Sequence, residues 1–262
     1  MLRSLLARWH ATLALSYGLG LLGGLSLSWS LLASPLRFVL PAAFGQWLGR
    51  WVISFGFRFY FRALSGIGAC HFDLGVLDDL RDAGPLVIAP NHPCLLDALM
   101  VLSRLPNLVC ILKASILDNL FLGGGARLAG YIRNDTPLRM IRTAVKELQK
   151  GGQVLIFPEG TRTTRWPVDP CLASIGYIAQ RARVPVQTVL IETDSAYLTK
   201  GWPLWRQPAL PIRYRLRLGQ RFESPPDPEA FAQELEHYFL SVLPPGPPGS
   251  PRPCPPLFVP SS

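Results

Sequence analysis

The chain has 262 residues, of which 49% are apolar and only 16% charged, and its 26 Lys plus Arg against 17 Asp plus Glu leave a formal net charge of +9. A charged fraction this far below the usual ~25% excludes a coiled coil or an acidic disordered chain, and the 23 glycines and 26 prolines show no G-X-Y repeat, which excludes collagen. A basic chain poor in charge suits nucleic acid or an anionic membrane face. With no RNP-like aromatic run and no zinc-ligand spacing, the expectation is a membrane partner and no nucleic acid.

The first element is an apolar run. Residues 11–36 carry no charge, and Arg3, Arg8 and His10 precede them. About 20 apolar residues cross a bilayer, and this run is longer than the apolar part of a signal peptide. It reads as an uncleaved anchor, either spanning or re-entrant. Gly18, Gly20 and Gly23 inside it match G-x-G-x-x-G. A dinucleotide fingerprint needs a preceding strand, so helix packing by small residues is the reading here. An amphipathic stretch follows over 44–64, where Trp47, Trp51, Phe55, Phe57, Phe59 and Phe61 interleave with Arg50, Arg58 and Arg62. Rings at headgroup level with guanidinium groups on phosphates make an interfacial helix.

Beyond residue 66 short apolar runs alternate with helical periodicity. Strands are expected at 70–76, 86–90, 108–112, 131–133, 154–157, 186–191 and 212–218, and helices at 95–105, 116–128, 137–150, 171–183 and 228–243. Asp227 caps the last helix, with Pro228 in its first turn. Such alternation predicts an α/β fold, a mostly parallel sheet flanked by helices. The resulting organisation is an N-terminal anchor and interfacial helix over 1–66, an α/β domain over 67–243, and a Pro-rich disordered tail over 244–262. Cys70, Cys94, Cys110, Cys171 and Cys254 are scattered and odd in number. They argue for a reducing compartment, with Cys94 a small packing residue rather than a nucleophile.

Two segments carry chemistry. The run Leu86-Val87-Ile88-Ala89 leads into Pro90-Asn91-His92-Pro93-Cys94-Leu95-Leu96-Asp97. Residues five apart on a continuous helix lie ~140° apart. His92 and Asp97 therefore meet only if His92 precedes the first turn and Asp97 sits one turn in, with Pro93 at the first helical position. Imidazole is then a general base whose tautomer a carboxylate fixes. The second segment, Phe157-Pro158-Glu159-Gly160-Thr161-Arg162-Thr163, also follows a strand. Arg162 suits a forked grip on phosphate. Glu159 either accepts from a substrate hydroxyl or orients Arg162, and Gly160 lets a ligand approach the backbone. Both segments belong at the carboxyl edge of one sheet, where open α/β folds bind ligands.

His92-x-x-x-x-Asp97 followed by Phe157-Pro158-Glu159-Gly160-Thr161-Arg162 resembles the glycerolipid acyltransferase family, of lysophosphatidate-acyltransferase type, over roughly residues 40–222. The resemblance implies transfer of a fatty acyl group from a thioester, on coenzyme A or acyl carrier protein, to a hydroxyl of a lysolipid. It makes His92 the general base and Asp97 its orienting partner. Glu159, Gly160, Thr161 and Arg162 become the acceptor-binding block, and Lys113 a lysine that helps hold phosphate. Val184-Pro185-Val186 resembles a fourth block, for the acyl side or packing. No cofactor beyond the acyl-CoA or acyl-ACP co-substrate is implied, and no metal.

The family's second block departs from its usual wording: Gly130-Tyr131-Ile132-Arg133-Asn134-Asp135 has its arginine early. Arg133 either reaches the acceptor or pairs with Asp135. The acceptor is accordingly 1-acylglycerol-3-phosphate, or a lyso-ornithine lipid or polyene lipid head as in outlying branches. Two other functions compete. A lipid hydrolase would use water as acceptor, although no G-x-S-x-G elbow is present. A non-enzymatic anionic-lipid binder would leave the paired blocks unexplained. Arginines at 37, 50, 58 and 62 favour the cytoplasmic face of the inner membrane for the domain, although Arg3 and Arg8 lie on the other flank, a conflict that a re-entrant anchor resolves.

Overall fold

The structure, a computed structural model, describes residues 2–203 and 205–247, with side chains from Trp9 onward. The side chains of Arg3 and Arg8, and the tail beyond Pro247, lie outside the described residues. Strands β1 (Cys70–Asp73), β2 (Leu86–Pro90), β3 (Leu108–Lys113), β4 (Ile132–Asn134), β5 (Gln153–Leu155), β6 (Val186–Thr193) and β7 (Ile212–Phe222) form one sheet in the order β1-β7-β6-β2-β5-β3-β4. Every neighbouring pair is parallel except β6 with β7. The mostly parallel sheet expected from the alternation is therefore present, with β1 and β7 running against the rest.

Burial follows from that placement. All five residues of central β2 are buried, as a strand covered on both faces requires. In β7 the residues Ile212, Tyr214 and Leu216 turn inward while Arg213, Arg215 and Arg217 turn out. Those arginines meet Asp194, Asp73 and Glu192 respectively.

The helices are α1 (Leu2–Val39), α2 (Ala42–Gly66), α3 (Asp97–Arg104), α4 (Ala114–Leu117), α5 (Gly123–Leu128), α6 (Pro137–Gln149), α7 (Ser174–Ala182) and α8 (Pro228–Val242). Asp227 caps α8 as expected, its Oδ1 accepting from the N–H groups of Glu229 at 2.9 Å and Ala230 at 3.1 Å. The single helix expected over 116–128 is instead α4 and α5. Asn119 Oδ1 accepts from the Phe121 N–H at 2.8 Å, a local turn that competes with helix. The strand expected over 70–76 stops at Asp73, and Gly75–Leu80 is a 3₁₀ helix.

Helix α1 contains Trp9–Val39, long and apolar enough to cross a membrane, with mean hydropathy 1.4 and 11% of its apolar window buried. It lies against the rest of the molecule near both ends. His10 Nε2 is 2.9 Å from the Ile67 carbonyl, and Ser30 Oγ accepts from the Gly124 N–H at 2.9 Å. At Gly124 an added Cβ would lie 2.1 Å from the Ser30 carbonyl oxygen, so only glycine permits this approach. A Cβ added at Gly18 would lie 3.2 Å from Leu64, whereas one added at Gly20 or Gly23 would meet no described neighbour within 4 Å. Small-residue packing thus explains only the first glycine of the G-x-G-x-x-G match.

Helix α2 leaves Phe44, Trp47, Trp51, Phe55 and Phe59 exposed. Two of its expected phosphate-seeking arginines turn inward instead. Arg50 donates to the Ala129 carbonyl at 2.9 Å and pairs with Glu147, and Arg58 donates to the Ser103 carbonyl at 2.5 Å. Phe61 is buried against Phe72, with ring centroids 4.5 Å apart. The helix is therefore amphipathic with Arg50 and Arg58 on the protein side and Arg62 exposed.

Candidate active site

Strand β2 delivers His92 to the carboxyl edge of the sheet. Asn91 secures the strand end: its Nδ2 donates to the Ile191 carbonyl on β6 at 3.0 Å, and its Oδ1 accepts from the Ile191 N–H at 2.7 Å. The chain then turns through Pro93–Leu96 before α3 begins at Asp97. Pro93 is thus not the first helical residue. The Asp97 carboxylate reaches back across this turn to His92 Nδ1, at 2.8 Å from Oδ2.

Asp97 is fully buried and His92 keeps a sixth of its side chain exposed (17%). A carboxylate only accepts, so the shared proton sits on Nδ1, and Nε2 carries the lone pair. No described residue bonds Nε2. The His92 ring stacks on Phe157, with centroids 3.8 Å apart and planes 19° apart, which fixes its orientation. Oδ2 of Asp97 also accepts from the Cys94 N–H at 2.7 Å, and Oδ1 accepts from the Cys94 thiol at 2.9 Å. Cys94 is fully buried. Burial, and then Asp97 beside it, push its pKa well up, so it is no nucleophile.

The second segment leaves β5, the strand next to β2. Glu159 does not orient Arg162. Its buried carboxylate turns inward, with Oε1 accepting from the His92 N–H at 2.8 Å and from Thr163 Oγ1 at 3.0 Å, and Oε2 accepting from the Asp169 N–H at 2.8 Å. Burial raises the Glu159 pKa to about 7 against the pull of those three donors. The Thr163 N–H closes the join by donating to the His92 carbonyl at 2.8 Å.

Arg162 instead ties down the segment after β6, Nη1 donating to the carbonyls of Leu198 at 3.0 Å and Thr199 at 3.2 Å. Gly160 is exposed with φ +65°, and an added Cβ would lie 2.6 Å from Leu172 Cδ1. Thr161 is half-buried between them. Two residues escape the sequence reading. Asp169 accepts from the Thr164 N–H at 2.8 Å and the Arg165 N–H at 3.0 Å, closing the loop that carries Arg162. Asn91 does the same for the His92 strand end. An acidic residue ten positions after Glu159 carries no periodic signal, whereas Asn91 sits within the His92 segment.

Lys113 and Arg133 leave the same sheet edge farther along, on neighbouring β3 and β4, where Leu112 pairs in register with Arg133 and Lys113 with Asn134. Lys113 is exposed and, among the described residues, has no ion-pair partner. Arg133 is occupied. It forks onto Asp118, both bonds 2.8 Å, and its Nε donates to Asp135 at 3.0 Å. The pairing expected with Asp135 is present, and Asp118 is a second partner. The hydrogen bonds from Arg133 hold Asp118 below the usual carboxylate range.

The family model described as Acyltransferase matches residues 72–192, a range that includes His92, Asp97, Lys113, Arg133 and Glu159. A human protein, 1-acyl-sn-glycerol-3-phosphate acyltransferase beta, is 30% identical over 128 residues. That alignment covers 45% of this chain and 45% of the human protein, so the chain spans under half the length of this relative. The crystal structure of the 1-acyl-sn-glycerophosphate (LPA) acyltransferase PlsC from Thermotoga maritima has a similar fold, with TM-score 0.66 at 18% identity. The match covers 90% of this chain and 94% of that one. Residues 72–192 thus match the Acyltransferase family model, and the chain is similar to acyltransferases of lysophosphatidate type.

Proposed function

We propose that the protein moves a fatty acyl group from an acyl thioester, on coenzyme A or an acyl carrier protein, to a lysolipid hydroxyl, with 1-acylglycerol-3-phosphate as the acceptor. The observation that carries this reading is the 2.8 Å contact between His92 Nδ1 and Asp97, which leaves Nε2 unbonded at the sheet edge beside the Glu159 segment. Nε2 takes the acceptor's hydroxyl proton as that oxygen attacks the thioester carbonyl. The tetrahedral adduct collapses, the carbon–sulfur bond breaks, and the imidazolium returns its proton to the departing thiolate. Asp97 stabilises the imidazolium between those two transfers. A positioned base is worth roughly 10²–10⁴ in rate, and the thioester is already activated, so no covalent enzyme intermediate is required.

Lys113 is the cation for the acceptor phosphate, because it is exposed at the same edge and unpaired among the described residues, whereas Arg133 is held by two carboxylates. Arg162 retains donors beyond the Nη1 used on Leu198 and Thr199. The apolar helix α1 and the exposed rings of α2 support membrane association, with the domain on the cytoplasmic face of the inner membrane. Contacts of the continuous helix α1 with the domain at both His10 and Ser30 favour both flanks lying on one side of the membrane.

Incubation with an acyl thioester and a panel of lysolipids tests the reading. Release of free thiol together with an acylated lysophosphatidate is expected. Free fatty acid without acylated lipid would instead make the protein a hydrolase, and acylation of another lysolipid alone would change the acceptor.

A further inference from the structure

We propose that Cys94 is a positioning residue of this site: its backbone N–H and its thiol together hold the Asp97 carboxylate, so that one oxygen is presented to the His92 imidazole. The inference rests on the reading of His92 and Asp97 as the working pair. Three donors reach the carboxylate, and Cys94 supplies two of them, the N–H to Oδ2 at 2.7 Å and the S–H to Oδ1 at 2.9 Å. His92 supplies the third. Both Cys94 and Asp97 are fully buried, so water does not substitute for a missing donor. A buried carboxylate oxygen left without a donor is costly.

The surroundings keep the thiol in its donating form. Cys94 lies beside Tyr214 of β7, which is fully buried, and within electrostatic reach of Tyr60 and Tyr197. Cys70 and Asp97 are in turn within electrostatic reach of Tyr214. Glu159 reaches the pair only through the His92 backbone. The titratable side chains that β1, β7, α2 and the segment after β6 bring near the Asp97–Cys94 unit are thus three phenols and the Cys70 thiol. The ionisable partner in contact with the carboxylate is the imidazole.

The sign of the effect follows. Without the S–H donor, the negative charge of Asp97 is less dispersed and acts more fully on the imidazole, which then holds its proton to higher pH. The carboxylate is also freer to turn, so the base is less well aimed.

The test uses the full-length protein in detergent, with Cys94→Ala and Cys94→Ser. Two readouts are followed: the pH profile of kcat/KM for acyl transfer, and the titration of the His92 ring by NMR, which needs no substrate and so stands apart from the acyltransfer reading. Cys94→Ala is expected to move the acid limb and the ring titration upward by roughly half a pH unit and to lower the plateau by about tenfold. Cys94→Ser, a better donor of similar reach, is expected to restore the plateau with the titration at or below its original position. A His92 titration unmoved in Cys94→Ala overturns the proposal, even if the plateau falls, because packing alone would do that. Should Cys94→Ala fail to fold, an upward shift in Cys94→Ser overturns it. Acyl transfer absent from the unsubstituted protein while the ring titration shifts as expected would sink the acyltransfer reading and leave the positioning role standing.

Discussion

The N–H of His92 donates to Glu159 Oε1 at 2.8 Å, so the Glu159 carboxylate holds the backbone of His92 and not its imidazole. Glu159 is part of the frame that fixes where His92 stands. Its second oxygen holds the Asp169 N–H, and through Asp169 the loop that carries Arg162.

A consequence is a pH-dependent stability. Burial raises the Glu159 pKa from 4.5 to about 7 in the folded protein. Between those values the native state holds a proton that the unfolded state has lost. The stabilising contribution is therefore complete below about pH 4.5 and is lost as pH rises through 7. The upper bound is about 3 kcal/mol over the window. Thermal unfolding of the protein and of Glu159→Gln from pH 4.5 to 7.5 checks this. The difference between the two should change in that window in the stated direction, and parallel curves would contradict it.

Gly160→Ala should lower the melting temperature by several degrees. A left-handed backbone costs a non-glycine residue roughly 1–2 kcal/mol, and the new Cβ meets Leu172 Cδ1 at 2.6 Å. Adding Leu172→Ala removes the second penalty and leaves the first. Calorimetry on the two variants separates them, and an unchanged melting temperature in Gly160→Ala would contradict the strain.

Lys113 and Arg133 should differ as acceptor-binding residues. Lys113→Ala is expected to raise KM for 1-acylglycerol-3-phosphate by roughly 10-fold or more, the worth of a hydrogen bond to a charged group. Arg133→Ala is expected to leave KM within about threefold, since Arg133 is taken up by Asp118 and Asp135. Steady-state kinetics on both variants decides, and the reverse order would assign the phosphate to Arg133.

If α1 keeps both flanks on one side, single cysteines at positions 9 and 39 should react from the same side of sealed vesicles with a membrane-impermeant maleimide. Both positions are exposed in the structure, Trp9 at 67% and Val39 at 77%. Labelling from opposite sides would make α1 a spanning helix.

Much of this was readable in the chain. The buried run of β2, the cap at Asp227 and the alternation of strands with helices all follow from local chemistry, and so they were visible without the fold. The pairing of His92 with Asp97 was visible in type but not in geometry. A helical turn was the only local way to bring residues five apart together, whereas the chain uses a turn over Pro93–Leu96 and a carboxylate that reaches back. The direction of β7 was hidden because periodicity reports burial and not polarity of a strand. The break at Asn119 came from a side chain competing with the backbone, a contest that apolar spacing does not register. The inward turn of Glu159 depends on Asp169 and His92, which meet it only in three dimensions.

The most direct test of the account is thiol release from an acyl thioester in the presence of 1-acylglycerol-3-phosphate, measured for the protein and for His92→Ala side by side. The account predicts a loss of at least about a hundredfold in kcat/KM with the fold intact. Undiminished turnover in His92→Ala would contradict it.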